Sequence, residues 1–225
     1  MTNKKKSIVS IITARKNSKR LKNKNLRKIL GFPLIHYAII SSLNSKFISA
    51  TYVATDDQKI SDYSKKLGAK VPFLRDKKYS KDGTSSFQTI SNFFKKLDLK
   101  IKPDLVILLQ PTSPLRTTRD IDDSIKLLKR NKSATSIVSV VKTPNMFLNK
   151  NSLIKSKINF KFNKDIKNEK IYSTNGAIYI VPYKNIFKKN PFGKSIQIYE
   201  MKLSKSIDID TMDDLLIAKA LINKN

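Results

Sequence analysis

The chain predicts an α/β fold, a mostly parallel sheet with helices on both faces. Short apolar runs rich in β-branched residues alternate with stretches of helical periodicity. The 225 residues suffice for a single domain, 1–225, with a substantial core, and the absence of cysteine excludes a disulfide scaffold and a thiolate metal site. Strand and helix in strict turn give parallel strands joined by crossovers, and ligands of such sheets sit at the strands' carboxyl ends.

The first strand is expected from Ile8 to Ile12 and runs into a polar, cationic loop, Thr13 to Asn25. A helical pattern from Pro33 to Leu43 carries His36, the lone histidine, on an apolar face where it reads as structural. The second strand, Ala50 to Ala54, ends in Asp56 and Asp57, which read as caps for a helix from Gln58 to Leu67. A short strand precedes Leu74-Arg75-Asp76, and Ser85 suits the N-cap of a helix from Ser86 to Leu97. The run Leu105 to Leu109 leads through Gln110 into the turn Pro111-Thr112-Ser113-Pro114. Arg116 and Arg119 lie where this strand turns into a helix from Asp120 to Leu128, with Arg119 read as a solvated cation. Strands are expected again at Thr135 to Val141 and Ala177 to Val181, and a last helix from Thr211 to Leu221. Between the last two strands the rhythm breaks. Residues 143–172, polar and rich in Lys and Asn, read as an insertion, a lid or a dimerisation arm within the domain.

Charge sets the next constraint: 46 Lys and Arg face 17 Asp and Glu, a net charge of +29. Such a chain attracts polyanions weakly and non-specifically. The lysines are spread along its whole length and no recognised nucleic-acid module is present, so no specific nucleic-acid partner is expected. Lys4-Lys5-Lys6 before Ile8-Val9 has the look of a signal peptide, but the apolar run is too short and breaks into Arg15 and Lys16. No stretch approaches the ~18 apolar residues of a membrane span. A cytoplasmic protein without membrane contact is expected.

Two local features carry chemistry. Ser206-Ile207-Asp208-Ile209-Asp210 sets two carboxylates at i and i+2, which an extended backbone presents on one face. Hard cations such as Mg2+ take oxygen ligands of this kind. The alternative is a strand end entering an acidic first helical turn, with Asp213 and Asp214 there for the macrodipole. At the carboxyl end of the first strand, Thr13-Ala14-Arg15-Lys16-Asn17-Ser18-Lys19-Arg20-Leu21-Lys22-Asn23-Lys24-Asn25 joins small polar residues to cations. A loop of this kind can bring backbone amides and positive charge to a polyphosphate, although the spaced glycines and Lys-Ser/Thr pair of a Walker A loop are absent.

That loop, then Gly31-Phe32-Pro33-Leu34-Ile35, Leu108 to Arg116 (LLQPTSPLR), Asn175-Gly176-Ala177-Ile178-Tyr179 and Ser206 to Asp210 (SIDID) together resemble the acylneuraminate cytidylyltransferase family. Five motifs in the family's order and spacing make the resemblance specific, and it spans nearly the whole chain. It implies a Rossmann-like fold of the nucleotide-diphospho-sugar transferase type. The implied reaction is attack of the anomeric hydroxyl of a nine-carbon α-keto acid sugar on the α-phosphorus of CTP, with pyrophosphate leaving and Mg2+ required. By the same resemblance Asp208 and Asp210 are the metal-binding acids, and Arg15 and Lys24 the cations facing the triphosphate. Arg15, Lys24 and Asp210 would then be the catalytic set. Ala14, Arg15, Asn25, Arg75, Thr84 and Ser85 match nucleotide contacts, and Gln110, Asn175, Tyr179 and Phe192 match contacts to the sugar. A homodimer is also implied.

The sequence departs from the family where acids of the sialic type are bound. An arginine-rich stretch expected before Asn175 is replaced by Lys164, Lys167 and Lys170, with Ser173-Thr174 directly ahead of the asparagine. Lysine meets a carboxylate as a point charge where arginine grips it with two bonds. The acceptor is therefore expected among sialic, legionaminic, pseudaminic or related nonulosonic acids. Two other readings are a cytidylyltransferase of the Kdo type, which usually has Gly-Lys-Pro where this chain has Lys24-Asn25-Leu26, and a polyanion-binding protein on a worn enzyme scaffold.

Overall fold

Seven residues, Ile8–Ala14, form β1, and all but one are buried, as a strand covered on both faces requires. The computed structural model describes residues 6–18, 20–80, 83–142 and 172–223. After β1 come a small hairpin of β2 (Lys28–Ile29) and β3 (Phe32–Pro33), α1 (Leu34–Leu43), β4 (Ala50–Thr55), α2 (Gln58–Lys66) and α3 (Ser86–Leu97). β5 (Leu105–Leu109), α4 (Thr118–Arg130), β6 (Ser136–Lys142), β7 (Tyr172–Pro182), β8 (Ile196–Met201) and α5 (Met212–Ile222) follow.

Six strands make one sheet in the order β4-β1-β5-β7-β6-β8. β4, β1 and β5 are parallel, β8 is parallel to β6, and β7 alone runs against both its neighbours. The period of two divides the strand side chains between two cores. Ile8 and Ile12 join Ile35 and Ile39 of α1, Ile60 of α2 and Ile121 and Ile125 of α4. Val9 and Ile11 face the other way, against Ile90, Phe93 and Phe94 of α3. Both faces are thus covered, as expected.

Capping chemistry sets the helix starts. Ser85 with Gln88, Thr117 with Asp120 and Thr211 with Asp214 form capping boxes, and Asp57 accepts from the Ile60 amide. His36 is held by the Tyr63 hydroxyl at 3.0 Å and stacks on Phe32, which fits its structural reading.

Several expectations need correction. β8 was not anticipated, because an edge strand alternates exposed and half-buried residues and shows no continuous apolar run. β7 is longer than Ala177 to Val181, since its polar first half pairs with β6. The short strand before Arg75 reduces to one bridge, Tyr52 to Lys70. The stretch 206–210 is no strand end: it lies outside the sheet. Arg119 is exposed beside Asp123, in keeping with its reading as a solvated cation, whereas Arg116 is buried. Of the 143–172 segment, all but Tyr172 lies outside the described residues.

Where β6 meets β7 the register breaks between Val138 and Val140, so that Ser139 alone stands opposite Asn175 to Ile178. The Ser139 hydroxyl fills the gap in the ladder, accepting from the Ile178 amide at 2.7 Å and donating to Asn175 Oδ1 at 2.6 Å. This bulge carries Gly176 out toward the carboxyl end of β5.

Candidate active site

The basic loop and the late acids, 186 positions apart at Lys24 and Asp210, meet at the carboxyl ends of β1, β4 and β5. A third, smaller core brings them together. Leu21 of the loop, Ile29, Leu34 and Leu115 pack with Ile209 between the two acids and with Leu215 and Ala218 of α5. Ile209 is fully buried and its amide donates to the Thr112 carbonyl at 2.8 Å. With the isoleucine turned inward, both flanking carboxylates are left to line the cavity on the other side.

That cavity, of about 400 Å3, is lined by Arg15, Arg20, Lys24 and Arg75 against Asp208 and Asp210. Lys24 Nζ lies 2.9 Å from Asp210 Oδ1 and Arg20 Nη1 lies 2.6 Å from Oδ2. Asn25 Nδ2 donates to the Arg15 carbonyl at 2.9 Å, and Asn23 takes the left-handed conformation that turns the loop. Asp56, read from sequence as a cap, is instead a link across the rim. It accepts from the Lys16 amide at 2.8 Å and faces Arg75 Nη2 at 3.6 Å, while capping falls to Asp57.

Electrostatics follow from partial burial. Arg75 is nearly buried, with Nε donating to Ser80 Oγ at 3.1 Å. Loss of hydration pulls its pKa down, Asp56 opposes this and Arg15 adds to it. Asp208 is open to the cavity but hemmed in elsewhere. That desolvation raises its carboxyl pKa, opposed by a hydrogen bond with Thr112 and reinforced by Asp210. Four cations opposite a carboxylate pair suit a polyphosphate accompanied by a hard divalent cation.

The structure gathers Arg15, Lys24, Asn25, Arg75, Thr84, Gln110, Asp208 and Asp210 around this one space. Other expected residues lie elsewhere. Ala14 is buried at the end of β1, and Ser85 caps α3 and lines a separate groove. Asn175, expected to face a sugar, is buried in the bulge with its amide donating to Ser206 Oγ at 2.9 Å, so it braces the start of the acid segment. Tyr179 and Phe192 stand together with Phe87 in an aromatic cluster outside the cavity lining. Sequence reasoning missed Arg20 and Thr112 as wall residues and Ser139 as the bulge's filler. Arg20 was visible only as one cation among several in the loop.

Gly176 explains how the wall closes. Its φ is +74°, and a Cβ there would lie 2.8 Å from Gln110 Oε1 and 3.6 Å from Asp208 Oδ2. Gly176→Ala is expected to lower stability by about 1–2 kcal/mol through the left-handed backbone. It should also push the Gln110 amide away; thermal melting checks the loss of stability.

The cytidylyltransferase family model matches residues 9–224. The chain is 32% identical to the CMP-N,N'-diacetyllegionaminic acid synthase of Legionella pneumophila, over 97% of each chain. It is 31% identical to a pseudaminic acid cytidylyltransferase of Campylobacter jejuni, over 96% of each. Its fold matches a solved CMP:2-keto-3-deoxy-manno-octonic acid synthetase complexed with CTP at a TM-score of 0.74 and 18% identity, over 97% of this chain and 99% of the other.

Proposed function

Because the chain belongs to the cytidylyltransferase family, we propose that it transfers CMP from CTP to the anomeric hydroxyl of a nonulosonic acid, of the class its relatives' names print. The anomeric oxygen forms a new bond to the α-phosphorus and gives up its proton, the bond to the β-phosphate breaks, and pyrophosphate leaves. Positioning and neutralisation of charge carry such a transfer. The observation that supports this reading best is the convergence of Lys24 with Asp210 in one cavity, 2.9 Å apart.

Each side chain takes a part that its position allows. Arg15, Lys24 and Arg20 face the triphosphate; the last two exchange their pairing with Asp210 for phosphate oxygens. Arg75, Thr84 and Thr89 line the same cavity, where the base is read. Gln110 stands at the acceptor side. Among the described residues no third acid or histidine joins Asp208 and Asp210 in a metal-holding group. Two carboxylates suit Mg2+, which is bound through one or two carboxylates and takes its other ligands from phosphates and water. When bound there, Mg2+ supplies neutralisation of charge on the phosphates. The homodimer that the resemblance implies belongs to the same proposal. No described helix is long and apolar enough to cross a membrane.

The test is pyrophosphate release with CTP, Mg2+ and a panel of acceptors: diacetyllegionaminic, pseudaminic, N-acetylneuraminic and 3-deoxy-manno-octonic acids. Turnover with a nine-carbon acid is expected, and turnover with the eight-carbon acid alone would overturn the acceptor class. Arg75→Ala is expected to raise the KM for CTP about tenfold or more by removing a sheltered charged hydrogen-bond donor. It should also narrow the preference for CTP over UTP. An unchanged preference would move base reading away from Arg75.

A further inference from the structure

Arg116 precedes the N-cap of α4 and is 2% exposed, the largest of the fully buried side chains. Its Nη1 donates to two carbonyl oxygens, those of Gln110 at 3.0 Å and Ala177 at 2.9 Å. Nε and Nη2 have no protein partner among the described residues. Burial pulls its pKa down to about 10, with Asp120 opposing, so the group is still charged at neutral pH. An apolar side chain of similar volume commonly serves packing as well as a buried ion. Packing alone therefore does not account for an arginine here.

What the guanidinium does is join the end of β5 to the middle of β7. Gln110 opens the turn after β5, and Ala177 follows Gly176 in the bulge of β7, so one nitrogen ties the turn to the bulge. The acid segment hangs from that same turn. The Thr112 carbonyl takes the amide of Ile209, the residue between the two acids, at 2.8 Å. Asp120, the carboxylate nearest in charge to Arg116, also holds Lys205 at 3.0 Å, one residue before the segment begins.

We propose that Arg116 is a positioning residue for the transfer: its buried guanidinium locks the Gln110–Thr112 turn to β7, and through Thr112 sets where Asp208 and Asp210 stand opposite the basic loop. The proposal rests on reading the cavity as a CMP-transfer site. Arg116 is not part of the cavity lining, so its effect passes through the turn.

The test compares wild type with Arg116→Met, which keeps volume and removes the fork, and Arg116→Lys, which keeps charge on a shorter, single-point donor. Melting temperature, kcat, KM for CTP and amide hydrogen exchange are measured for each. Arg116→Met is expected to lose about 100-fold in kcat, the scale of a misplacement near 1 Å, with KM for CTP moving far less. Exchange in 206–210 should rise about tenfold while β1 and β4 keep their protection. Arg116→Lys should show the same pattern at about a tenth of the kcat effect. Wild-type kcat and exchange in either folded variant overturn the proposal, and so does faster exchange spread evenly over the sheet, which marks a purely structural role. Should Arg116→Met fail to fold, Arg116→Lys decides by the same readouts. A wild-type protein that releases no pyrophosphate with any acceptor defeats the transfer reading, while the exchange comparison still decides whether Arg116 holds the acid segment.

Discussion

Asp210→Asn is expected to lower CTP-dependent pyrophosphate release by about 1,000-fold, the several kcal/mol that a bound metal contributes to charge stabilisation. Asparagine keeps the shape of the side chain and removes the charge that opposes both Lys24 and Arg20. The fold should survive, because Asp210 is partly exposed and an accessible ion pair contributes at most about 1 kcal/mol. The Thr211–Asp214 capping box and the buried Ile209 are untouched by the change. Steady-state kinetics beside thermal melting checks this, and a folded variant with wild-type turnover would remove Asp210 from the proposed metal site.

Asp208→Asn separates function from stability more sharply. The raised carboxyl pKa means that the folded state holds this proton more tightly than the unfolded chain does. The ionised group therefore costs stability at neutral pH, a cost relieved as pH falls through the raised value. The asparagine variant should lose turnover yet melt no lower than wild type.

Lys24→Ala is the second large effect, an expected loss of about 100- to 1,000-fold in kcat/KM. The Lys24 side chain is 16% exposed, so its ammonium acts with little screening by water. It lines the cavity beside Asp210, where its charge can offset what gathers on a leaving pyrophosphate. Lys24→Arg should recover part of the loss, since it restores charge with a different fork. Unchanged kcat/KM for CTP in Lys24→Ala would empty the basic loop of its role.

Much of the fold was legible because its signals are local. The runs Ile8 to Ile12 and Leu105 to Leu109 are β-branched or leucine-rich and short, and Ser85 and Asp57 are capping residues beside apolar periods. β8 escaped because its alternation at a sheet edge leaves Ile196 and Ile198 exposed. In the site, Asp208 and Asp210 stood out by their i, i+2 spacing, while Arg15 and Lys24 were singled out among the loop's cations by the family resemblance. Asp56 did not, since one acid of an Asp-Asp pair looks like the other until the Lys16 amide and Arg75 are set beside it. Asn175 was read as a sugar contact from its motif, and what only the fold reveals is that its side chain is bonded to Ser139 and Ser206.

By itself the sequence determined the α/β class, the helix caps, the cationic loop and the paired acids, because periodicity and side-chain chemistry are properties of neighbours along the chain. Only the tertiary structure decided which of these groups share a space. The burial of Leu21 with Ile209 and Leu215 draws the two ends of the chain together, and the buried Arg116 fork sets the turn from which the acids hang. Hydrophobic contact and hydrogen-bond pairing between distant residues leave no periodic trace in the chain, so their outcome is read only where the chain has packed.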